Sequence, residues 1–410
     1  MKITAVETFR IAAYGNFVWL RIETDEGLVG IGEAFRNPEA TEAYLHETCA
    51  PYLLGKDPLQ VTAHHHALLS SVGSRFQGYP SRSVEIRGNS AVDVALWDLL
   101  GKSMNQPLHA VFGGLCHDKL RIYNTCAGYG YNTANRADRN VAEADPGAPP
   151  PPRNPKFPFE DLEAQTHRCG ELAQELLDQG VTAMKIWPFD PAAKLTAGRD
   201  ISAEALRRSL RPLEALRAAV GDKMDVMIEY HSLWRLAPAL KIAREADAFG
   251  IYWHEDPIEM HRLEDLAEFR SSVDAPIAGS ENHGSAVWYR DALAARAIDY
   301  MHFDLGWVGG LTEARRIAAL GSAWDRMIAP HDCTGPIQLA ANIHVSFASP
   351  NTLILETVRA YLNGFYQEII ADPLPIRQGF AYPMTGPGLG VEFHPALLAR
   401  PDLTRRRSTL

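Results

Sequence analysis

The sequence predicts an α/β protein: a modified (β/α)8 barrel of the TIM type with a smaller α+β domain capping it. Three observations carry this expectation. Eight short apolar runs alternate with helical stretches through the middle of the chain. A section with a different rhythm, strands and then helix, comes before them. Most of the eight runs also end on an ionisable side chain.

The first section opens with KITAVETFRI and FVWLRIET, then Asp25-Glu26-Gly27, a tight-turn signal, then LVGIGEA. From about Glu39 to Phe112 the pattern is helical, and SAVDVALWDLLGKSMN sets Val92, Ala95, Leu96, Leu99 and Leu100 on one helix face. Gly113-Gly114 closes it, so residues 1–118 are expected to form the cap. The barrel is expected over residues 119–372. Its runs are LRIYNT, VTAMKIW, DVMIEYH, IYWHE, PIAGSE, DYMHFD, RMIAPH and TLILE, separated by segments such as LTEARRIAALGSAW. A doubly wound sheet rarely needs so many consecutive units, and no G-x-G-x-x-G follows the first run. The Pro- and Gly-rich residues 373–410 are expected to return to the cap. Residues 131–160, with APPPPRNPKFP, suit neither helix nor central strand and read as a solvated insertion, with a flap or an oligomer contact as the functional alternative.

Composition bounds the function. The 410 residues are 46% hydrophobic and 22% charged, as expected for a globular enzyme-sized protein. A net charge of −10 argues against nucleic acid as a partner, because phosphate binding needs a basic surface. Five irregularly spaced cysteines without C-x-x-C read as reduced thiols. MKITAVETFR has no apolar signal core, and no long apolar run suits a membrane. A cytoplasmic homo-oligomer acting on a small-molecule carboxylate, with no membrane or nucleic-acid partner, is the expectation.

The chemistry sits at the run ends. These are Lys185, Glu229-Tyr230-His231, Glu255, Glu281, Asp304, His331-Asp332 and Glu356. Glu229, Glu255 and Glu281 are spaced by about 26 residues, one strand–helix unit. A single Glu at a strand end is an ordinary solvated residue. Several in phase deliver carboxylates to one barrel mouth, where they repel unless a cation sits between them. Hard oxygen ligands suit Mg²⁺. A barrel metallohydrolase would need histidine-rich ligands, and RIYNT lacks the H-x-H of a first strand.

At these residues the chain resembles a known family. SAVDVALWDLLGK with PLHAVFGG is similar to the capping signature of the mandelate racemase branch of the enolase superfamily. E-Y-H, H-E-D-P, G-S-E, D-L-G-W-V-G-G-L-T-E-A and A-P-H-D-C-T-G-P-I resemble its barrel motifs. The resemblance implies Glu229, Glu255 and Glu281 as Mg²⁺ ligands and an Asp304–His331 dyad with His331 as general base. It also implies Glu356 as a hydrogen-bonding partner of the substrate carboxylate and Lys185 as the first lysine of a K-x-K motif. Trp187 replaces the second lysine, which disfavours mandelate-type racemisation. His231 resembles the strand-three general acid of galactonate dehydratase-like members. The expected activity is therefore Mg²⁺-dependent dehydration of an aldonate or aldarate through an enediolate. Cycloisomerisation or epimerisation of a sugar-acid lactone or anhydro acid is the alternative, and the intact residue set speaks against a non-catalytic homologue. Glu356, if protonated beside the anion, could donate a hydrogen bond to it.

Other candidates are weaker. Trp187 and Trp307 are expected to wall the substrate pocket, and Tyr14, Asn16, Phe17 and Trp19 lie near the first turn, where relatives set substrate choice. Arg75, Arg82 and Arg87 could reach a distal carboxylate. His64-His65-His66 reads as a partly exposed helix face and not a metal site, because consecutive helical residues point apart. Asp332 either lines the pocket or caps the next segment.

Overall fold

The computed structural model describes residues 1–70, 83–132, 159–283 and 285–410. Arg75, Arg82 and nearly all of the Pro-rich insertion lie outside the described residues.

The alternating N-terminal segments form an antiparallel sheet of β1 (Ile3–Ile11), β2 (Phe17–Thr24) and β3 (Val29–Phe35). Gly27, at φ +80°, makes the turn into β3. The helix Val84–Ser103 packs across this sheet. The V-G-I-G of β3 permits the contact: a Cβ on Gly30 would stand 2.1 Å from the Ala95 carbonyl, and one on Gly32 would stand 2.2 Å from that of Ala91. Ser83 starts the helix by accepting a hydrogen bond from the Ile86 N–H.

Eight parallel strands follow: β4 (Leu120–Thr125), β5 (Ala183–Ile186), β6 (Asp225–Glu229), β7 (Ile251–Glu255), β8 (Ile277–Gly279), β9 (Tyr300–Met301), β10 (Met327–Ile328) and β11 (Leu355–Thr357). β11 pairs with β4, while β10 meets the approach to β11 through a single bridge, Ile328 to Thr352. A short hairpin, β12 (Ile376–Arg377) and β13 (Phe380–Ala381), adds to β4. Finally β14 (Leu403–Thr409) pairs antiparallel with β1, so the chain ends in the capping sheet.

Inside the ring lies a cluster of Tyr123, Ala183, Met227, Trp253, Ala278, Ala329 and Ile354. Side chains on a strand repeat their facing every second residue. Two residues beyond these core positions stand Thr125, Lys185, Glu229, Glu255, Ser280, His331 and Glu356. The apolar plug thus fixes which side chains point inward at the C-terminal mouth, where this architecture builds its sites. Glu281 falls one residue beyond that step.

The cap docks through buried polar contacts. Asp93 accepts from the Thr312 N–H at 2.9 Å and from its hydroxyl at 2.6 Å. Trp97 Nε1 donates to Thr312 Oγ1 at 2.8 Å. Glu33, on β3, accepts from the Gln338 N–H at 2.9 Å and so caps the helix Pro336–Ala348 from across the domain boundary. The histidine run is more buried than its sequence suggests. His64 bonds Tyr52 and the Asp57 carbonyl, and His65 sits between Asp93 and Glu313, leaving only His66 exposed. No helix among the described residues is long and apolar enough to cross a membrane.

Candidate active site

Glu229, Glu255 and Glu281 end β6, β7 and the segment after β8, and each offers an oxygen within 4.8 Å of the others. All three are buried. At that spacing each carboxylate pair repels by roughly 3 kcal/mol at an effective dielectric of about 20. Burial and then the neighbouring Glu255 charge push the Glu229 carboxyl well above its usual range. Burial also raises Glu255, but His302 and Lys185 outweigh it and hold that carboxyl well below its ordinary value. Glu229 Oε2 is buried without a hydrogen-bond partner. Three hard oxygen donors, mutually repelling and with one oxygen unmatched, fit a divalent cation.

Lys185, ending β5, reaches into this group. Its Nζ contacts Glu255, lies 3.0 Å from Glu356 and 3.7 Å from Glu229. Burial lowers its affinity for the proton, but these carboxylates outweigh burial and keep the ammonium charged. Glu356 sits beneath the cavity. It accepts from Thr125, from Lys185 and, at 2.9 Å, from the Asp332 N–H. Burial raises its carboxyl, yet Lys185 and His331 outweigh burial and the net shift is downward. In this arrangement Glu356 stands as a partner of Lys185.

Two Asp–His pairs face the same cavity. His331 Nδ1 lies 2.7 Å from Asp304 Oδ2, and its Nε2 lies 2.7 Å from Glu281. His231 Nδ1 lies 2.7 Å from Asp190 Oδ2. Burial pulls both imidazoles down, but Glu281 dominates the opposing shift at His331 and Asp190 does so at His231, and both end above their ordinary value. The third and seventh staves of an eight-stave ring stand opposite one another, so the pairs flank the cavity from two sides. His231 and Ser232 adopt φ of 51° and 58°, a left-handed bend that turns the chain sharply just after Glu229.

The cavity has a volume of about 230 Å³. Lys185, Glu229, His231, Glu281, His331, Trp187 and Trp307 all line it, while Glu255, Asp304 and Glu356 lie behind that surface. Trp307 stacks on His331 with ring centroids 5.8 Å apart. Tyr14 and Phe17 do not line it. Tyr14 packs on Trp19 and Phe365, and Phe17 on Trp19, Phe35 and Phe365, so they support the wall from behind. Asp332 is buried and accepts from the Thr334 N–H and hydroxyl, a cap and not a pocket wall.

Sequence reasoning missed Asp190, Arg36 and His302. Asp190 opens the short helix Asp190–Thr196 that follows β5, away from any strand end. Arg36 stands one residue past β3 and lines the cavity from the cap. His302 Nε2 lies 2.9 Å from Glu255 Oε1, and its Nδ1 meets the Ala329 carbonyl. Its signal was available: in H-F-D it shares the facing of Asp304.

Both domains resemble those of known proteins. The sequence model described as "Enolase C-terminal domain-like" matches residues 168–397. That of the "Mandelate racemase / muconate lactonizing enzyme, N-terminal domain" matches residues 3–113. A solved enolase of the mandelate racemase subgroup from Agrobacterium tumefaciens is 39% identical, covers 100% of this chain and 99% of its own, and superposes with a TM-score of 0.86. A D-galactonate dehydratase from Verminephrobacter eiseniae is 29% identical over 97% of this chain and 94% of its own. A D-gluconate dehydratase from Thermoproteus tenax is 28% identical over 95% of this chain and 70% of its own. With both domains matched and the barrel match alone spanning more than half of the sequence, the chain belongs to the enolase superfamily, in its mandelate racemase / muconate lactonizing enzyme branch.

Proposed function

We propose that this chain is a Mg²⁺-dependent dehydratase that converts a sugar acid, an aldonate or aldarate, into its 2-keto-3-deoxy acid. The observation that carries the reading is the pair of Asp–His couples on opposite staves of one carboxylate-floored cavity. Two related proteins are named as sugar-acid dehydratases, D-galactonate and D-gluconate, which agrees with it.

The difficulty is the α-proton, since removing it puts a second negative charge on the carboxylate. Glu229, Glu255 and Glu281 would hold a divalent cation, which would supply the opposing charge. Lys185 adds a fixed positive charge on the cavity floor, and Glu356 holds it there. His331, in its neutral form, would take the α-proton on Nε2, while Asp304 fixes the tautomer through Nδ1. Collapse of the enediolate so formed then restores the carboxylate and makes a new Cα–Cβ double bond as the C–O bond to the β-hydroxyl breaks. His231 delivers the proton that turns this hydroxyl into water, with Asp190 holding the ring. The resulting enol tautomerises to the keto acid. Each acid–base partner is worth roughly 10²–10⁴-fold.

Incubating the enzyme and Mg²⁺ with a library of aldonic and aldaric acids, and assaying 2-keto acids, tests the reading. Keto-acid formation supports it. Isomerised acids without any keto product reject it.

A further inference from the structure

Arg36 is a cation that the mechanism does not use. It follows β3 and lines the cavity with Glu229, Glu281 and His331. Its guanidinium lies over the rings of Phe35 and Trp307, at 5.3 and 5.5 Å, and Trp307 in turn stacks on His331. Its Nε is buried and has no hydrogen-bond partner. Among the described residues no carboxylate lies within 4.0 Å of it. The acids that line the cavity are committed elsewhere: Asp190 to His231, and Glu229 and Glu281 to the triad. A partly buried guanidinium stripped of water at Nε and stacked on two rings is poorly served without an anion.

The backbone places it there under strain. Arg36 and Asn37 both take left-handed conformations, φ 68° and 51°. Non-glycine residues rarely adopt this region, and such strain persists where the surroundings hold it for a purpose. The Arg36 N–H donates to the Asn16 carbonyl at 2.7 Å, which pins the bend. Lys194, on the helix Asp190–Thr196, adds a second cation to the cavity lining.

We propose that the substrate is a diacid, an aldarate whose carboxylate remote from the reacting end is bound by Arg36. This rests on the sugar-acid reading above and narrows it. The planar guanidinium offers two parallel donors to a carboxylate. An aldonate ends in a hydroxymethyl group and leaves the guanidinium without its counter-charge. A site built around a polar partner rejects analogues lacking it far more strongly than it resists a missing methylene.

The test pairs binding with turnover. Calorimetry on the Mg²⁺-loaded enzyme carrying His331→Asn, which blocks consumption of the ligand, compares glucarate and galactarate with gluconate and galactonate, and adds 6-phosphogluconate. The same titrations are run with Arg36→Gln and Arg36→Lys added, after matched thermal melts show each variant folded. The proposal expects at least one diacid to bind tenfold or more tighter than its matched monoacid. It expects Arg36→Gln to erase that preference and Arg36→Lys to restore part of it. Equal binding of the two acid classes overturns it, as does a preference untouched by Arg36→Gln. Tightest binding by 6-phosphogluconate also overturns it, because the remote group would then be a phosphate. Turnover by the otherwise native enzyme is read separately. An Arg36-dependent diacid preference without keto acid would retain the binding site and remove the dehydratase reading. Keto acid from monoacids alone would do the reverse.

Discussion

His231 Nδ1 stands 2.7 Å from Asp190 Oδ2, a second Asp–His couple set against the one formed by His331 and Asp304. The two couples divide the chemistry. On the proposed mechanism, one would remove a proton from the α-carbon and the other would give a proton to the departing hydroxyl. Because the steps are separable, so are the consequences of losing each residue.

Replacing His331 by Asn is expected to abolish both steps. Keto-acid formation should fall by roughly 10²–10⁴-fold or more. Exchange of the substrate α-proton in D₂O, followed by NMR, should fall with it. Mg²⁺ binding should persist, since His331 is not among the three clustered carboxylates.

Replacing His231 by Asn is expected to give a different signature. Elimination should fall by roughly 10²–10⁴-fold while α-proton exchange continues. Asp190→Asn should show the same imbalance in weaker form, because the ring remains but loses the partner that orients it. Equal loss of exchange and elimination in both variants would assign these residues to substrate placement alone.

Glu33 stands at the joint between the domains, against Gln338. Burial pushes the Glu33 carboxyl from 4.5 up to about 8. Its folded-state affinity for the proton therefore exceeds that of the unfolded chain. Between those two values the unfolded state releases the proton first, so this group's contribution to stability declines as pH rises and levels off above about pH 8. Glu33→Gln cannot titrate. Denaturant unfolding of the metal-free protein at intervals from about pH 5 to pH 9 should show the decline in the native chain and a flatter profile in the variant.

Removing a carboxylate from the triad should show in stability as well as activity. If the triad holds Mg²⁺ as proposed, the cation binds the folded state alone, and excess metal should raise the melting temperature of the native chain. Glu229→Gln and Glu281→Gln should each blunt that rise. An identical metal-induced shift in both variants would place the cation elsewhere.

Much of this was legible in the sequence because two periodicities coincide. The step of about 26 residues between Glu229, Glu255 and Glu281 is one strand–helix unit, and the two-residue alternation from Met227 to Glu229 and Trp253 to Glu255 sets the facing. What stayed hidden depends on loops and on the third dimension. Asp190 opens a short helix, Asp190–Thr196, reached through a turn after β5 whose path no periodicity fixes. Arg36 enters the cavity from another domain, through two left-handed residues that nothing in the pattern announces. Tyr14 and Phe17 were assigned to the pocket by their nearness to the first turn, but the aromatic packing around Trp19 and Phe365 turns them away from it. The partnership of Glu356 with Lys185, whose Nζ lies 3.0 Å from it, is hidden for a similar reason.

The central claim is that Glu229, Glu255 and Glu281 together hold one divalent cation on which deprotonation of a sugar acid depends. The most direct test is the rate of keto-acid formation by exhaustively chelated enzyme, before and after Mg²⁺ is returned. The account predicts no detectable turnover in the stripped enzyme and recovery with one Mg²⁺ per chain. Undiminished turnover in the stripped enzyme would contradict it.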